Sequence, residues 1–309
     1  MAGSGERPKR TRIDAGAASI GALLYGESTN PPVVLLHGWA DSAWSMDRVA
    51  DPLGERYRVI SLDLRGHGHS DRGPYNLLNL VGDLRGVIEA LNLVAPIIIG
   101  HSLGGQVAAQ FCGLYPDIPA ALALIEGIGP PPHRLAATDP DRMEREFALR
   151  QVERTRRPPR VKTLPSVAAA ADRLRAAHPL LDEERVQLLA AENTVAVDDG
   201  VQWRFDPASR DWFNGHNQEN AAQRWRGITC PVLVVNGGDS YERYWRFIQD
   251  DPEAFPEPLT GAALQARLAN FADVRYTEIA GAGHMLPYDK PVELNNAIGA
   301  FLSELSPRR

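Results

Sequence analysis

Cysteine is scarce: Cys112 and Cys230 are the two in 309 residues, too few for a disulfide framework and without metal-ligand spacing. Long apolar runs are missing too. The longest, at 33–36, 97–99 and 232–235, fall far short of the ~20 residues that a membrane-crossing helix needs. Positive charge is not in excess. With 33 Lys and Arg against 39 Asp and Glu, the net charge of -6 gives no electrostatic reason to expect nucleic acid. Gly and Pro, at 27 and 24, are too few and too scattered for a low-complexity chain. Residues 1–12 are polar and basic and lack the apolar stretch of a secretory leader, so they predict a solvated tail. Against these absences stand ordinary globular proportions, 44% apolar and 23% charged. The length suits one large domain or two modest ones. The balance predicts a soluble, cytoplasmic protein with no membrane span; no pattern specifies an oligomeric state.

Short β-branched runs predict strands near 19–25, 33–37, 57–63, 95–100, 120–126, 231–236 and 273–279. Runs such as VVLL and APIII carry no polar alternation, as in a parallel sheet covered on both faces. Between them, amphipathic periodicity predicts helices at 41–53, 77–91, 103–115, 259–271 and 292–305. Alternating strands and helices predict an α/β domain with its ligands beyond the carboxyl ends of the strands. From 128 to about 226 the alternation stops. There the chain is rich in Arg, Ala and Glu, predicts helices at 141–156, 166–177 and 182–191, and offers no convincing strand.

The densest chemical signal is Gly100-His101-Ser102-Leu103-Gly104, between a strand and a helix. G-x-S-x-G in that context is a nucleophile elbow. A sharp turn strains the serine, flanking glycines avoid clashes, and the hydroxyl of Ser102 stands at the helix head, where the dipole favours negative charge. A second signal is the buried run at 33–36 ending in His37-Gly38-Trp39. DLRGHGHS at 63–70 and Gly281-Ala282-Gly283-His284 follow two other strands.

Four motifs in this order resemble the α/β-hydrolase superfamily, over most of 17–126 and 227–305. The resemblance implies a mostly parallel, doubly wound sheet with a helical cap inserted after the 120–126 strand, the family's sixth. The core would be 13–126 and 227–309, and the insertion 127–226 a lid lining the substrate pocket. It further implies His284 as the base that activates Ser102, with backbone N–H groups of Trp39 and Leu103 as an oxyanion hole. The histidine needs a carboxylate to fix its tautomer, and two are available. Asp239 follows the 231–236 strand, the commoner family position, although Asn236 stands where a Gly precedes that acid. Glu126 ends the 120–126 strand, a position some members use. It also precedes Gly127-Ile128-Gly129-Pro130, as in serine-hydrolase-like proteins, and is the favoured acid of the two.

His37, Gly38, His101, Trp203 and Trp212 are candidate binding residues, with Phe205, Phe213 and Trp225 as further pocket aromatics or lid core. His133, His178 and His216 are expected on the surface or lining a pocket. The basic stretch from Arg150 to Lys162 predicts a solvated helix face. No histidine pair has metal spacing, and acyl transfer to water requires no cofactor. Ser102 argues against dehalogenase and epoxide-hydrolase chemistry, which uses an elbow aspartate. No tyrosine lies between 127 and 225, so a cap-borne epoxide-protonating acid is missing too. The expected partner is a small ester, lactone or thioester cleaved through an acyl-enzyme. Alternatives are carbon–carbon hydrolysis or perhydrolysis on the same residues, or a non-catalytic binding protein of the same fold.

Overall fold

The computed structural model describes residues 7–157, 160–213, 218–247 and 254–305. Its strands in chain order are β1 (Lys9–Asp14), β2 (Ser19–Tyr25), β3 (Pro32–Leu36), β4 (Arg58–Leu62), β5 (Ile97–His101) and β6 (Ala121–Ile125). Three short strands follow, β7 (Thr163–Leu164), β8 (Thr194–Val197) and β9 (Gly200–Trp203), and then β10 (Val232–Gly237) and β11 (Val274–Ile279). Eight of them form one sheet in the order β1-β2-β4-β3-β5-β6-β10-β11. β1 and β2 run antiparallel to their neighbours, and every other pairing in this sheet is parallel.

The sheet is buried on both faces, which is why its central strands carry no polar alternation. Along β3, Val34 and Leu36 join one apolar cluster while Val33 and Leu35 join the other. Each such side chain contributes about 1.5–3 kcal/mol when withdrawn from water. On the first face lie α2 (after α1, Asp47–Gly54; α2, Leu77–Ala90) and α3 (Leu103–Leu114), through Leu84, Val87, Val107 and Phe111.

Between β6 and β10 come α4 (Arg134–Thr138), α5 (Pro140–Arg156), α6 (Val167–Ala177), α7 (Glu183–Glu192) and α8 (Gln218–Trp225). The segment is not all helical. β7, β9 and β8 form a three-stranded antiparallel sheet, with Asp198 and Asp199 as the two-residue loop of the β8–β9 hairpin. Nor does it keep to itself: Ala170, Leu181, Val186 and Leu189 belong to the same cluster as Leu35 and Val235. At its far end, Trp225 is fully buried against Phe271 in the other cluster, so it is core and does not line a pocket. The chain closes with α9 (Ser240–Arg243), α10 (Gly261–Leu268), α11 (Leu286–Asp289) and α12 (Pro291–Glu304). No helix among the described residues is long and apolar enough to cross a membrane.

The amino-terminal segment departs from a solvated tail. Residues 9–14 are the edge strand of the sheet, with Ile13 buried. Its arginines are held at both ends: Arg10 pairs with Glu192 and Arg12 with Asp71. Charged side chains on an edge strand discourage pairing with a second chain. Residues 1–6 lie outside the described residues.

Candidate active site

β5 runs without a polar residue to Gly100 and then turns abruptly into α3. Ser102 sits in that turn at φ 50°, ψ -113°. A non-glycine residue there costs on the order of 1–3 kcal/mol, held in place by the surrounding structure. The Ser102 amide donates to Ile125 O at 2.9 Å, and that of Gly104 to His37 O at 3.0 Å. The glycines are required by close approach. A Cβ on Gly100 would lie 2.3 Å from Gly104 O, and one on Gly104 would lie 2.3 Å from Leu36 O. Both obstacles are backbone, so the turn must open to admit a methyl group. Gly104→Ala is therefore expected to lower the urea midpoint by the equivalent of about 1–3 kcal/mol. An unchanged midpoint would show that the elbow is looser than its contacts imply.

Three side chains converge at this turn. Ser102 Oγ lies 2.9 Å from Nε2 of His284, and Nδ1 of the same ring lies 3.0 Å from Glu126 Oε2. With Nδ1–H donating to the carboxylate, Nε2 is left to accept the serine proton. Glu126 is buried at the end of β6, itself at positive φ (50°). Its Oε1 accepts the Gly237 amide at 2.7 Å and its Oε2 the Ser240 hydroxyl at 2.7 Å. The carboxylate is thus fixed by β10 and the start of α9 before it meets the imidazole.

Asp239, the second carboxylate weighed from the sequence, turns away. Its side chain pairs with Arg243 at 3.1 Å and is about 41% exposed. It contributes through its backbone, whose amide donates to Ala282 O at 2.9 Å. His284 is held from behind by the Nε2–H of His101, which donates to the His284 carbonyl at 2.8 Å.

The loop after β3 packs on the same turn. Gly38 is so close that a Cβ would stand 3.0 Å from His101 Nδ1 and 3.4 Å from the Ser102 Cβ. Buried His37 donates from Nδ1 to Gly38 O at 2.6 Å and accepts the Leu64 amide on Nε2 at 2.9 Å. His67 accepts the Ala40 amide at 3.1 Å, with Ala40 at φ 64°. His37 and His101 are therefore structural rather than exposed to a ligand. The backbone amides of Leu103, at the first position of α3 and next to Ser102, and of Trp39 have no protein acceptor among the described residues. Trp39 is tied to the insert, its Nε1–H donating to Ser209 Oγ at 3.0 Å. Trp203 lies partly buried against the apolar cluster that the insert shares with the sheet. The side chains of Trp212 and Phe213, and all of His216, lie outside the described residues. His133 caps α4 and His178 packs edge-on to Tyr288, so neither of these two is free on the surface.

Burial pushes three of these imidazoles down, His37 to about 4 and His67 and His101 to about 3. They stay neutral in the folded chain while the unfolded chain takes up protons below about pH 6.5. Stability tied to them is complete above that pH and falls as pH drops toward 4. Each removes up to about 2 kcal/mol between pH 6.5 and pH 5. Asp41, raised to about 6 by burial, opposes them with one proton. The melting temperature should thus be clearly lower at pH 5 than at pH 7. An equal or higher value at pH 5 would contradict the buried neutral rings.

Sequence reasoning missed the aromatic cover of the imidazole. Tyr244 stacks flat on His284, centroids 4.0 Å apart and planes at 7°, and Trp245 meets the same ring edge-on at 5.1 Å. A phenol thus does stand at the site, supplied by the segment after β10 and not by the insertion. Nothing in the local spacing of 239–247 signals this, because the contact is made across the sheet's carboxyl edge.

A sequence model described as the Alpha/beta hydrolase family matches residues 33–297. The serine hydrolase-like protein 2 of Homo sapiens is 31% identical over 299 residues, 92% of this chain and 90% of that protein. The serine hydrolase-like protein of Danio rerio aligns over only 59% of this chain and 57% of its own length, at 32% identity. Esterase Rv0045c of Mycobacterium tuberculosis is 29% identical across 97% of this chain and 91% of the relative. Among solved structures, a thioesterase domain from the curacin biosynthetic pathway superposes with a TM-score of 0.76 at 24% identity, covering 95% of this chain and 99% of that one. With the family model and the human relative in agreement with the elbow and the parallel sheet, the chain belongs to the alpha/beta hydrolase family.

Proposed function

We propose that this hydrolase cleaves a carboxylic ester, or a related thioester or lactone, through an acyl-enzyme on Ser102. One observation carries the reading: the unbroken hydrogen-bonded series from the Ser102 hydroxyl through His284 to Glu126, built on a strained turn. A serine hydroxyl is a poor nucleophile until a base accepts its proton. In this reading His284 Nε2 takes the proton as Ser102 Oγ attacks the carbonyl carbon. Glu126 keeps the ring in the required tautomer and stabilises the imidazolium. The amides of Leu103 and Trp39 receive the oxyanion, aided by the positive end of α3. The imidazolium then returns its proton to the leaving alcohol or thiol. Water repeats the sequence in reverse and frees the acid and the serine.

The insert, 127–226, serves as a lid in this proposal, with Ser209 fastened to Trp39 at the edge of the site. Closure would exclude bulk water from the acyl-enzyme. The match to a protein named an esterase supports the ester reading. The test is stopped-flow hydrolysis of p-nitrophenyl esters from acetate to octanoate. The expected result is a burst of about one nitrophenolate per protein chain, followed by slower turnover. No release above the Ser102→Ala background for any ester would overturn the proposal.

A further inference from the structure

One charged group at the site has no place in the chemistry above. Arg210 lies on the short 3-10 helix Pro207–Phe213 of the insert, directly after Ser209, which is buried and holds the Trp39 indole. Its guanidinium stands over the Trp39 ring, 5.3 Å from the centroid. Its charge also acts on Tyr244. Burial pushes that phenol up to about 12, and the Arg210 charge pulls it back. Tyr244 in turn covers His284. Arg210 therefore lies against the ring of Trp39 and within electrostatic range of the residue that covers the base. Arg210 as a residue is half-buried, yet its guanidinium makes no hydrogen bond or ion pair among the described residues. The nearby acid Asp206 is already committed, accepting the Tyr75 hydroxyl and the Ala208 amide.

A guanidinium in such a place loses water on one face and recovers only part of that loss from an aromatic ring. Its planar fork of donors is left over, and that fork matches a carboxylate in two parallel hydrogen bonds. Elsewhere in the insert, arginines find acids: Arg142 pairs with Glu146, Arg175 with Glu183, and Arg185 with Asp47. We propose that Arg210 binds a carboxylate carried by the substrate, on its acyl or its leaving group, so that the site selects anionic esters or thioesters over neutral ones. This rests on the hydrolase reading for the identity of the reacting bond, but not for the anion contact itself. Arg210 acts by orienting the substrate; it neither gives nor takes a proton.

The test compares wild type, Arg210→Gln and Arg210→Glu on two matched pairs. One pair is p-nitrophenyl hemiglutarate against p-nitrophenyl pentanoate, the other 4-acetoxybenzoate against phenyl acetate. The readout is the ratio of kcat/KM within a pair, in which any general damage to the insert cancels. In at least one pair, wild type should favour the anionic ester, and Arg210→Gln should lower that ratio about 10- to 100-fold, the range of a charge-assisted hydrogen bond. Arg210→Glu should lower it further. Ratios that stay put in both pairs overturn the proposal while leaving ester cleavage intact. A second measurement needs no chemistry: calorimetric titration of Ser102→Ala protein with the p-nitroanilides of glutaric and pentanoic acids. Tighter binding of the glutaryl compound, lost on adding Arg210→Gln, supports the anion site even if no ester is turned over. Equal binding of the two compounds counts against it.

Discussion

Ser102→Ala is expected to lower kcat by about 10⁶-fold, because it removes the attacking atom and leaves only binding and the oxyanion donors. His284→Ala should cost nearly as much, and combining the two should add little. Groups that act as one unit are strongly non-additive. The geometry explains why. Ser102 Oγ and His284 Nε2 are joined at 2.9 Å, and among the described residues neither atom has a second hydrogen-bond partner that could replace the other. The check is kcat for the two single variants and the double variant on one p-nitrophenyl ester. Fully multiplicative losses would mean that serine and imidazole work independently, against the account.

The second large effect separates the two carboxylates. Glu126→Gln is expected to reduce kcat by about 10⁴-fold. The side chain keeps its size, but an amide placed at 3.0 Å can donate to Nδ1, which sends the ring proton to Nε2 and blocks acceptance from Ser102. Asp239→Asn removes only an exposed ion pair with Arg243, of a kind worth about 0–1 kcal/mol, so turnover should stay within a few-fold of wild type. Circular dichroism and melting curves on both variants keep misfolding apart from lost catalysis. A larger loss for Asp239→Asn than for Glu126→Gln would reverse the assignment of the acid.

The sheet and the elbow were readable because their signals are local. Apolar runs without alternation mark strands buried on both faces, and G-x-S-x-G marks one turn whose glycines meet backbone oxygens. The edge strand Lys9–Asp14 was not readable from charge. Arg and Lys dominate the segment, and only Ile13 turns inward, so the period of two hardly shows. The hairpin of β8 and β9 did carry a usable signal, with TVAV and GVQW on either side of Asp198-Asp199. It was obscured by the helical composition around it.

The acid illustrates a different limit. Both carboxylates closely follow strands that are neighbours in the sheet, β6 and β10, so spacing along the chain treats them alike. What separates them is the direction each side chain takes. Glu126 at positive φ turns toward the Gly237 amide and Ser240, whereas Asp239 faces Arg243. Tyr244 and Arg210 lie further still from anything a motif could reveal. One arrives on the segment after β10 and the other on the insert, and they acquire meaning only from the rings of His284 and Trp39.

The most direct test is the intact mass of the protein after exposure to a fluorophosphonate, with the labelled peptide sequenced. The account predicts one adduct per chain, on Ser102, and none on Ser102→Ala protein. An unlabelled wild-type chain, or an adduct on any other residue that persists in Ser102→Ala, would contradict it.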